Sequence, residues 1–206
     1  MLQIWGRLSS LNVRKVVWTA QELGVPFEHI NAGRQYGVVD SVEYRRMNPN
    51  GLVPLLIDEG YQLWESNVIV RYLGARYGAG SFYPEALPER FDAERWMDWQ
   101  QTTLNPAGRD AFVQLIRTPA TERDASAVQR SVDATEPLLA LLDDHLSRRE
   151  YMTGERLTMA DVPLACEVHR WWALPRARVA RPHLERWFQN IRERAASTGV
   201  LDFQLT

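Results

Sequence analysis

Asn48-Pro49-Asn50-Gly51-Leu52-Val53-Pro54 decides the fold, because Pro54 heads Pro54–Asp58, a stretch that otherwise reads as a buried strand. Proline cannot donate to a strand ladder and is confined to strand starts, edges and bulges. Two geometries accommodate it here. An ordinary trans turn can precede the strand, or a cis Val53-Pro54 bond can turn the Val53 N–H and C=O outward, where they can pair with an extended peptide. Downstream, Glu59-Gly60-Tyr61 separates this strand from Gln62–Trp64, which is hairpin spacing. Upstream, Leu2–Trp5 and Phe27–Ile30 read as strands on either side of a helix from Asn12 to Leu23. That helix carries Val13, Val16, Val17 and Ala20 on one stripe and ends at Gly24. So tight a βαβ unit places its strands parallel through a right-handed crossover. Asn31–Arg46 is polar and irregular, and Ser66 opens a helix with Val68, Ile69, Tyr72 and Leu73. The expected order is βαβ, a variable helix or loop, then ββα, on a four-stranded mixed sheet.

Gly78 to Pro88 holds two glycines and two prolines in eleven residues with no apolar period, and reads as a linker. Beyond it only helical stripes remain. They run through Phe91, Trp96 and Trp99, then Val128, Val132, Leu138, Leu139, Leu142 and Leu146, then Leu184, Trp187, Phe188 and Ile191. Such stripes are core. Pro137 is expected to kink or restart the second, and Pro182 suits the first position of the third. Thr158 to Asp161, with Leu157 before them, form a variant capping box in which Thr158 caps and Asp161 is the third helical residue.

The 206 residues are 45% apolar and 24% charged, with a formal charge of −2 and no basic block or acidic tail. Neither nucleic acid nor a charged membrane is indicated as a partner. Only Lys15 among the 24 basic residues is a lysine, which reads as compositional bias and singles out no arginine. Cys166, the one cysteine, sits among apolar neighbours, so it reads as a core thiol in a reducing compartment. Met1 to Arg7 has no basic start followed by a long apolar stretch, and no window approaches a membrane span of ~20 residues. The expected location is the cytoplasm.

Three short stretches carry chemistry. Val53 offers its backbone as described. Glu65-Ser66 lies at a strand-to-helix junction, where Ser66 is a candidate N-cap whose N–H groups face an anion. Glu65 beside it can pair with an ammonium, so the two can grip an amino-acid head group, or they can simply cap the helix. Ser9-Ser10-Leu11-Asn12 lies between the first strand and the first helix, where a hydroxyl can cap or point into a cleft. With no local histidine or aspartate it suits hydrogen-bond donation better than acyl transfer. A thiol of pKa about 8.5 would ionise near neutrality under such hydroxyl, amide and helix-dipole contacts. His169, taken alone, reads as a satisfied helix histidine.

Ser10-Leu11-Asn12-Val13-Arg14-Lys15-Val16, Asn48 through Pro54, Glu65-Ser66 with Ile69 and Tyr72-Leu73, and Thr158 to Asp161 together resemble the glutathione transferase superfamily. The resemblance spans essentially the whole chain, Ile4 to near Ala196. It implies a thioredoxin-like α/β domain over residues 1–79, a linker at 80–87 and an all-α helical bundle over 88–206 that binds the electrophile and dimerises. Glutathione is then the co-substrate, with no metal. Pro54 is implied to be cis, with the Val53 backbone on the cysteinyl part and Glu65 and Ser66 on the γ-glutamyl end. Leu52 replaces a polar residue often found before the valine, which leaves the glycyl carboxylate to Arg34 or Gln35. The early tyrosine and cysteine of other classes are missing, so the chain resembles bacterial serine-type members of theta, nu or zeta kind. Ser10 is the first candidate for thiolate donor by its spacing to Arg14; Ser9 is second, and Asn12 shares the task.

A broad aromatic electrophile pocket is implied on Arg7, Leu8, Trp96, Trp99, Gln100, Thr103, Phe112, His169 and Trp172, in a homodimer with the glutathione sites near its interface. The implied activity is conjugation of glutathione to a small hydrophobic electrophile. A glutathione-dependent isomerase, a thiol peroxidase and a non-catalytic ligand-binding protein share the fold.

Overall fold

The computed structural model describes residues 1–206, and its first layer is a sheet of order β2-β1-β3-β4. β1 (Leu2–Trp5) lies parallel to β2 (Phe27–Ile30), from Leu2 against Phe27 to Trp5 against Ile30. On its other side β1 runs antiparallel to β3 (Leu55–Asp58), which turns at Glu59-Gly60 into β4 (Tyr61–Trp64). α1 (Leu11–Glu22) joins β1 to β2 and gives the parallel pairing of a tight crossover. β3 starts one residue later than expected, because Pro54 has no N–H for the ladder.

Leu2 and Ile4 bury one face of the sheet with Val13, Val16, Val17 and Ala20 of α1 and Ile69, Val70 and Leu73 of α3 (Ser66–Tyr77). Each such side chain contributes roughly 1.5–3 kcal/mol by leaving water. Ala32, Tyr44 and Leu55 form a small cluster under α2 (Val42–Met47), whose N-cap Ser41 accepts the Tyr44 N–H at 3.1 Å. The irregular stretch thus yields one short helix. Sheet and helices together form the thioredoxin-like layer that the resemblance implies.

The second layer is helical. α4 (Leu87–Trp99), a π-helical turn at Gln100–Leu104, α5 (Asn105–Phe112) and a second π-helical turn at Val113–Arg117 make one continuous rod. α6 (Ala125–Leu146) packs on α5, and α7 (Asp161–Trp172) runs up the middle with every residue from Asp161 to Val168 buried. α8 (Pro182–Arg192) closes the bundle, with Pro182 as its first residue. One apolar core passes from the sheet into these helices. Cys166 lies inside it, and burial pushes its thiol up to about 11. No helix is long and apolar enough to cross a membrane.

Three expectations need correction. Phe91 is 61% exposed: the buried face of α4 is Ala93, Trp96 and Met97, and Phe91 falls off it by helical rotation. α6 does not restart at Pro137, because Leu139, Leu142 and Leu146 hold it in the core and the preceding Glu136 is anchored by Arg176 and Arg181. Thr158 does not cap α7, whose first residue is Asp161 itself.

What survives of the box is its return half. Asp161 Oδ2 accepts the Thr158 N–H at 2.8 Å, and Asp161 Oδ1 accepts from Met152 N (2.9 Å) and Trp187 Nε1 (2.8 Å). The carboxyl therefore ties α7 to the preceding loop and to α8, and its burial pushes its pKa up to about 6. Asp161→Ala strands three donors in a dry core, so the expected loss is about 3 kcal/mol of unfolding free energy, read from the urea midpoint. A loss below about 1 kcal/mol would mean that the residue only caps.

Candidate functional site

The chain leaves β1 at Gly6, whose N–H donates to Ile30 O at 2.8 Å. Gly6 has φ +146°, and a Cβ there would lie 2.4 Å from Val13 Cγ2 and 3.1 Å from Val53 Cβ. Only glycine allows the strand end, α1 and the Val53 loop to meet so closely. The turn that follows is closed by Ser10 N–H on Arg7 O at 3.0 Å, and Ser10 C=O then accepts from Val13 and Arg14, both at 3.1 Å. Ser10 holds the N-cap position of α1, yet its hydroxyl makes no capping bond. Asn12 Oδ1 is buried without a partner. Both polar groups are therefore uncommitted at the positive end of a helix.

The Val53 loop is held from behind. Leu52 C=O accepts Tyr44 Oη and Asn48 Nδ2, both at 2.7 Å, while the Leu52 side chain is 66% exposed. Burial pushes the Tyr44 phenol up to about 12, so it stays a donor. The Val53-Pro54 bond is cis, and the Val53 N–H and C=O make no hydrogen bond within the protein.

Ser66 is not the N-cap of α3: Glu65 occupies that position and Ser66 is the first helical residue, buried. Glu65 has φ 75° and ψ 107°, a conformation costly for a residue with a Cβ, of order 1–3 kcal/mol.

Behind Ser66, Asn67 Oδ1 accepts the Lys15 ammonium at 3.1 Å. Lys15 is fully buried and also bonds Gln100 Oε1 (3.0 Å) and Gln101 Oε1 (3.3 Å). Gln100 Nε2 reaches Glu167 at 2.9 Å, and Glu167 pairs with Arg170. Burial lowers Lys15 to about 8, with Glu167 opposing. This network was not singled out in the sequence, where Lys15 and Glu167 lie far apart in ordinary amphipathic helices.

Ser9, Ser10, Asn12, Arg7 and Phe112 line one cleft of about 220 Å³, together with Arg109, Val113, Arg117 and Arg170, which sequence reasoning missed. Its wall is one aromatic ring among arginines, not broad and aromatic. Leu8 is half-buried against the main core, and Thr103 is half-buried on the rod outside the cleft. Gln100 is enclosed in the Lys15 network. Trp96 stacks edge-on with Trp99 at 5.3 Å and lines a separate groove with His145. His169 and Trp172 line a larger cavity of about 910 Å³ against the C-terminal segment. His169 Nδ1 accepts from Arg14 at 2.9 Å, and burial followed by Arg14 lowers it to about 4, so it is neutral at pH 7. Arg34 and Gln35 sit exposed in a 3₁₀ turn (Arg34–Tyr36) beside Gly33, against which the Arg7 guanidinium lies. No group of three or more His, Cys, Asp or Glu side chains is placed to hold a metal ion.

Residues 1–75 match the family described as "Glutathione S-transferase, N-terminal domain", and residues 102–195 match "Glutathione S-transferase, C-terminal domain". The chain belongs to the glutathione S-transferase family. It is 41% identical over 203 residues to glutathione S-transferase GstB of Escherichia coli (strain K12), covering 98% of both chains. It is 28% identical to glutathione S-transferase F10 of Arabidopsis thaliana, covering 95% of this chain and 94% of that one. A crystal structure of the theta class glutathione S-transferase from Xanthomonas axonopodis pv. citri, with glutathione bound, matches with a TM-score of 0.95 at 41% identity, over 100% of this chain and 99% of that one.

Two variants test the local physics. Glu65→Gly is expected to raise stability by about 1 kcal/mol through relief of strain, whereas Glu65→Ala keeps the strain and gains nothing in the same urea titration. For Lys15, the folded pKa lies below the unfolded value, so its contribution is present above about 10.5 and is lost as pH falls through about 8. The stability of the parent relative to Lys15→Met should therefore rise across that window; a flat difference would place the ammonium in contact with water.

Proposed function

We propose that the chain conjugates glutathione to a small electrophile. The observation that carries this reading is that the Val53 backbone, packed close to Gly6 at the head of the serine turn, has no partner in the protein, while the Ser10 hydroxyl and the Asn12 side-chain oxygen on that turn and helix start are also uncommitted. The cysteinyl part of glutathione lies along Val53 beside Pro54, and its sulfur reaches the serine turn. Ser10 donates to the thiolate, Asn12 assists, and Ser9 is the alternative donor. Glu65 pairs with the γ-glutamyl ammonium, while Ser66 and the first N–H groups of α3 take its carboxylate. Arg34 or Gln35, next to Leu52 in function, takes the glycyl carboxylate. The α1 terminus and these donors favour the thiolate over the thiol, which loses its proton to water. The sulfur then attacks carbon, a C–S bond forms, and the leaving group departs with its electron pair. Positioning and preorganised donors supply the rate.

Residues 1–79 serve as the glutathione-binding domain, 80–87 as linker and 88–206 as the domain for the second substrate and for dimerisation. A homodimer is supported by exposed Tyr61, Trp64 and Val68 on β4 and α3 and by Phe91 on the adjoining α4. Each is an exposed apolar side chain of the sort a subunit interface would cover. The buried lone Cys166 fits the reducing cytoplasm.

The protein should be retained on glutathione resin and should accelerate conjugation of chlorodinitrobenzene. Ser10→Ala should lower kcat by ~10- to 100-fold with little change in KM for glutathione, and Ser66→Ala should raise that KM by ~10-fold. Parent-like activity in Ser10→Ala would move the donor to Ser9 or Asn12. Retention without turnover of any electrophile or hydroperoxide would leave a binding protein.

A further inference from the structure

The cleft beside the serine turn is charged in a way that conjugation of a neutral electrophile does not require. Arg7 of the turn, Arg14 of α1, Arg109 of α5, Arg117 of the turn after α5 and Arg170 of α7 all line it, and no aspartate or glutamate does. The chain as a whole carries −2, so this is a local concentration rather than a basic protein showing its average. Arg170 is neutralised by Glu167, and Arg14 is held by His169 and the Val200 C=O. Arg7, Arg109 and Arg117 make no ion pair. Arg7 Nε is buried and has no partner at all.

Two of the guanidiniums are fixed in place. Phe112 carries Arg117 over its ring at 4.5 Å and Arg170 at 5.3 Å from the centroid. Crowding cations in this way is unfavourable until an anion arrives, and burial with Arg34 and Arg7 nearby lowers Arg117 to about 10. Planar guanidiniums fit a carboxylate by two parallel N–H···O bonds. Glutathione accounts for little of this charge: its γ-glutamyl carboxylate goes to Ser66, and its glycyl carboxylate needs one cation. The cleft, about 220 Å³, is smaller than the ~300–1,000 Å³ of pockets for drug-sized ligands.

We propose that the second substrate is a small anionic electrophile whose carboxylate is held by Arg109 and Arg117, with Arg7 supporting, while its reactive carbon faces the serine turn. This rests on the glutathione-transfer reading above. With an aryl chloride the thiolate forms the C–S bond, the C–Cl bond breaks, and chloride leaves with the electron pair. The carboxylate is unchanged and serves only to hold and orient.

The test uses a chloronitrobenzoate with its carboxylate para to the chlorine, and the matching carboxamide, each rate divided by its uncatalysed rate with glutathione. The expected kcat/KM ratio favours the benzoate by ~10-fold or more, falls with added salt, and falls ~10-fold in the Arg109→Gln, Arg117→Gln double variant. A ratio at or below one overturns the proposal. So does a double variant that raises KM for glutathione and slows both substrates equally, since the arginines then hold the glycyl carboxylate. Independently of turnover, meta-nitrobenzoate should bind the S-methylglutathione-loaded protein ~10-fold more tightly than meta-nitrobenzamide, and equal binding overturns the proposal. Loss of glutathione retention itself, with neither aryl chloride turned over, removes the transfer reading and is distinguished by the resin alone.

Discussion

Lys15 holds a charge where no water reaches, and much of the molecule is arranged around satisfying it. An unpaired buried ammonium is strongly unfavourable, so each of its protons needs an acceptor. Those acceptors come from α3 and from the π-helical turn that follows α4, one on each side of the boundary between sheet layer and bundle. Gln100 relays the contact to Glu167 on the central helix. Docking of the helical layer and placement of the α3 N-terminus are consequently one event. Asn67, which takes the ammonium, directly follows the residue proposed to bind the γ-glutamyl carboxylate.

The site itself concentrates local costs. Glu65 holds a backbone conformation that glycine would adopt more easily, Asn12 leaves a buried carbonyl oxygen unpaired, and three cleft arginines lack counter-charges. None of these stabilises the free protein. Asn12 and these arginines line the same cleft, where an anionic ligand would offset the crowded charge. The surrounding core, continuous from β1 to α8, is large enough to hold them in place.

Much of the architecture was legible in local patterns. Leu2–Trp5 and Phe27–Ile30 stand as strands with the limits their alternation implies, and the stripe on α1 is wholly buried. Where reading failed, a tertiary contact had overridden a local rule. Pro137 was expected to kink or restart its helix, and the helix does not restart there but continues to Leu146. Thr158 was expected to cap, and Asp161 found better use for its carboxylate across two other segments. Trp96, His169 and Trp172 were grouped as one pocket by family likeness, yet Trp96 lines one groove and His169 and Trp172 another cavity, because helical rotation within a bundle sets which side chain faces which space.

The arginines show the division most plainly. In sequence, Arg7, Arg109, Arg117 and Arg170 are unremarkable members of an arginine-rich chain, each on a different segment. Periodicity and turn residues, being local chemistry, were enough by themselves to mark out the two-layer fold, whereas the glutathione groove along Val53 and Glu65-Ser66 was read from family resemblance. Convergence of charges from separate helices depends on crossing geometry and side-chain direction over long sequence separations. Only the folded structure could decide that, and with it the character of the second half of the cleft.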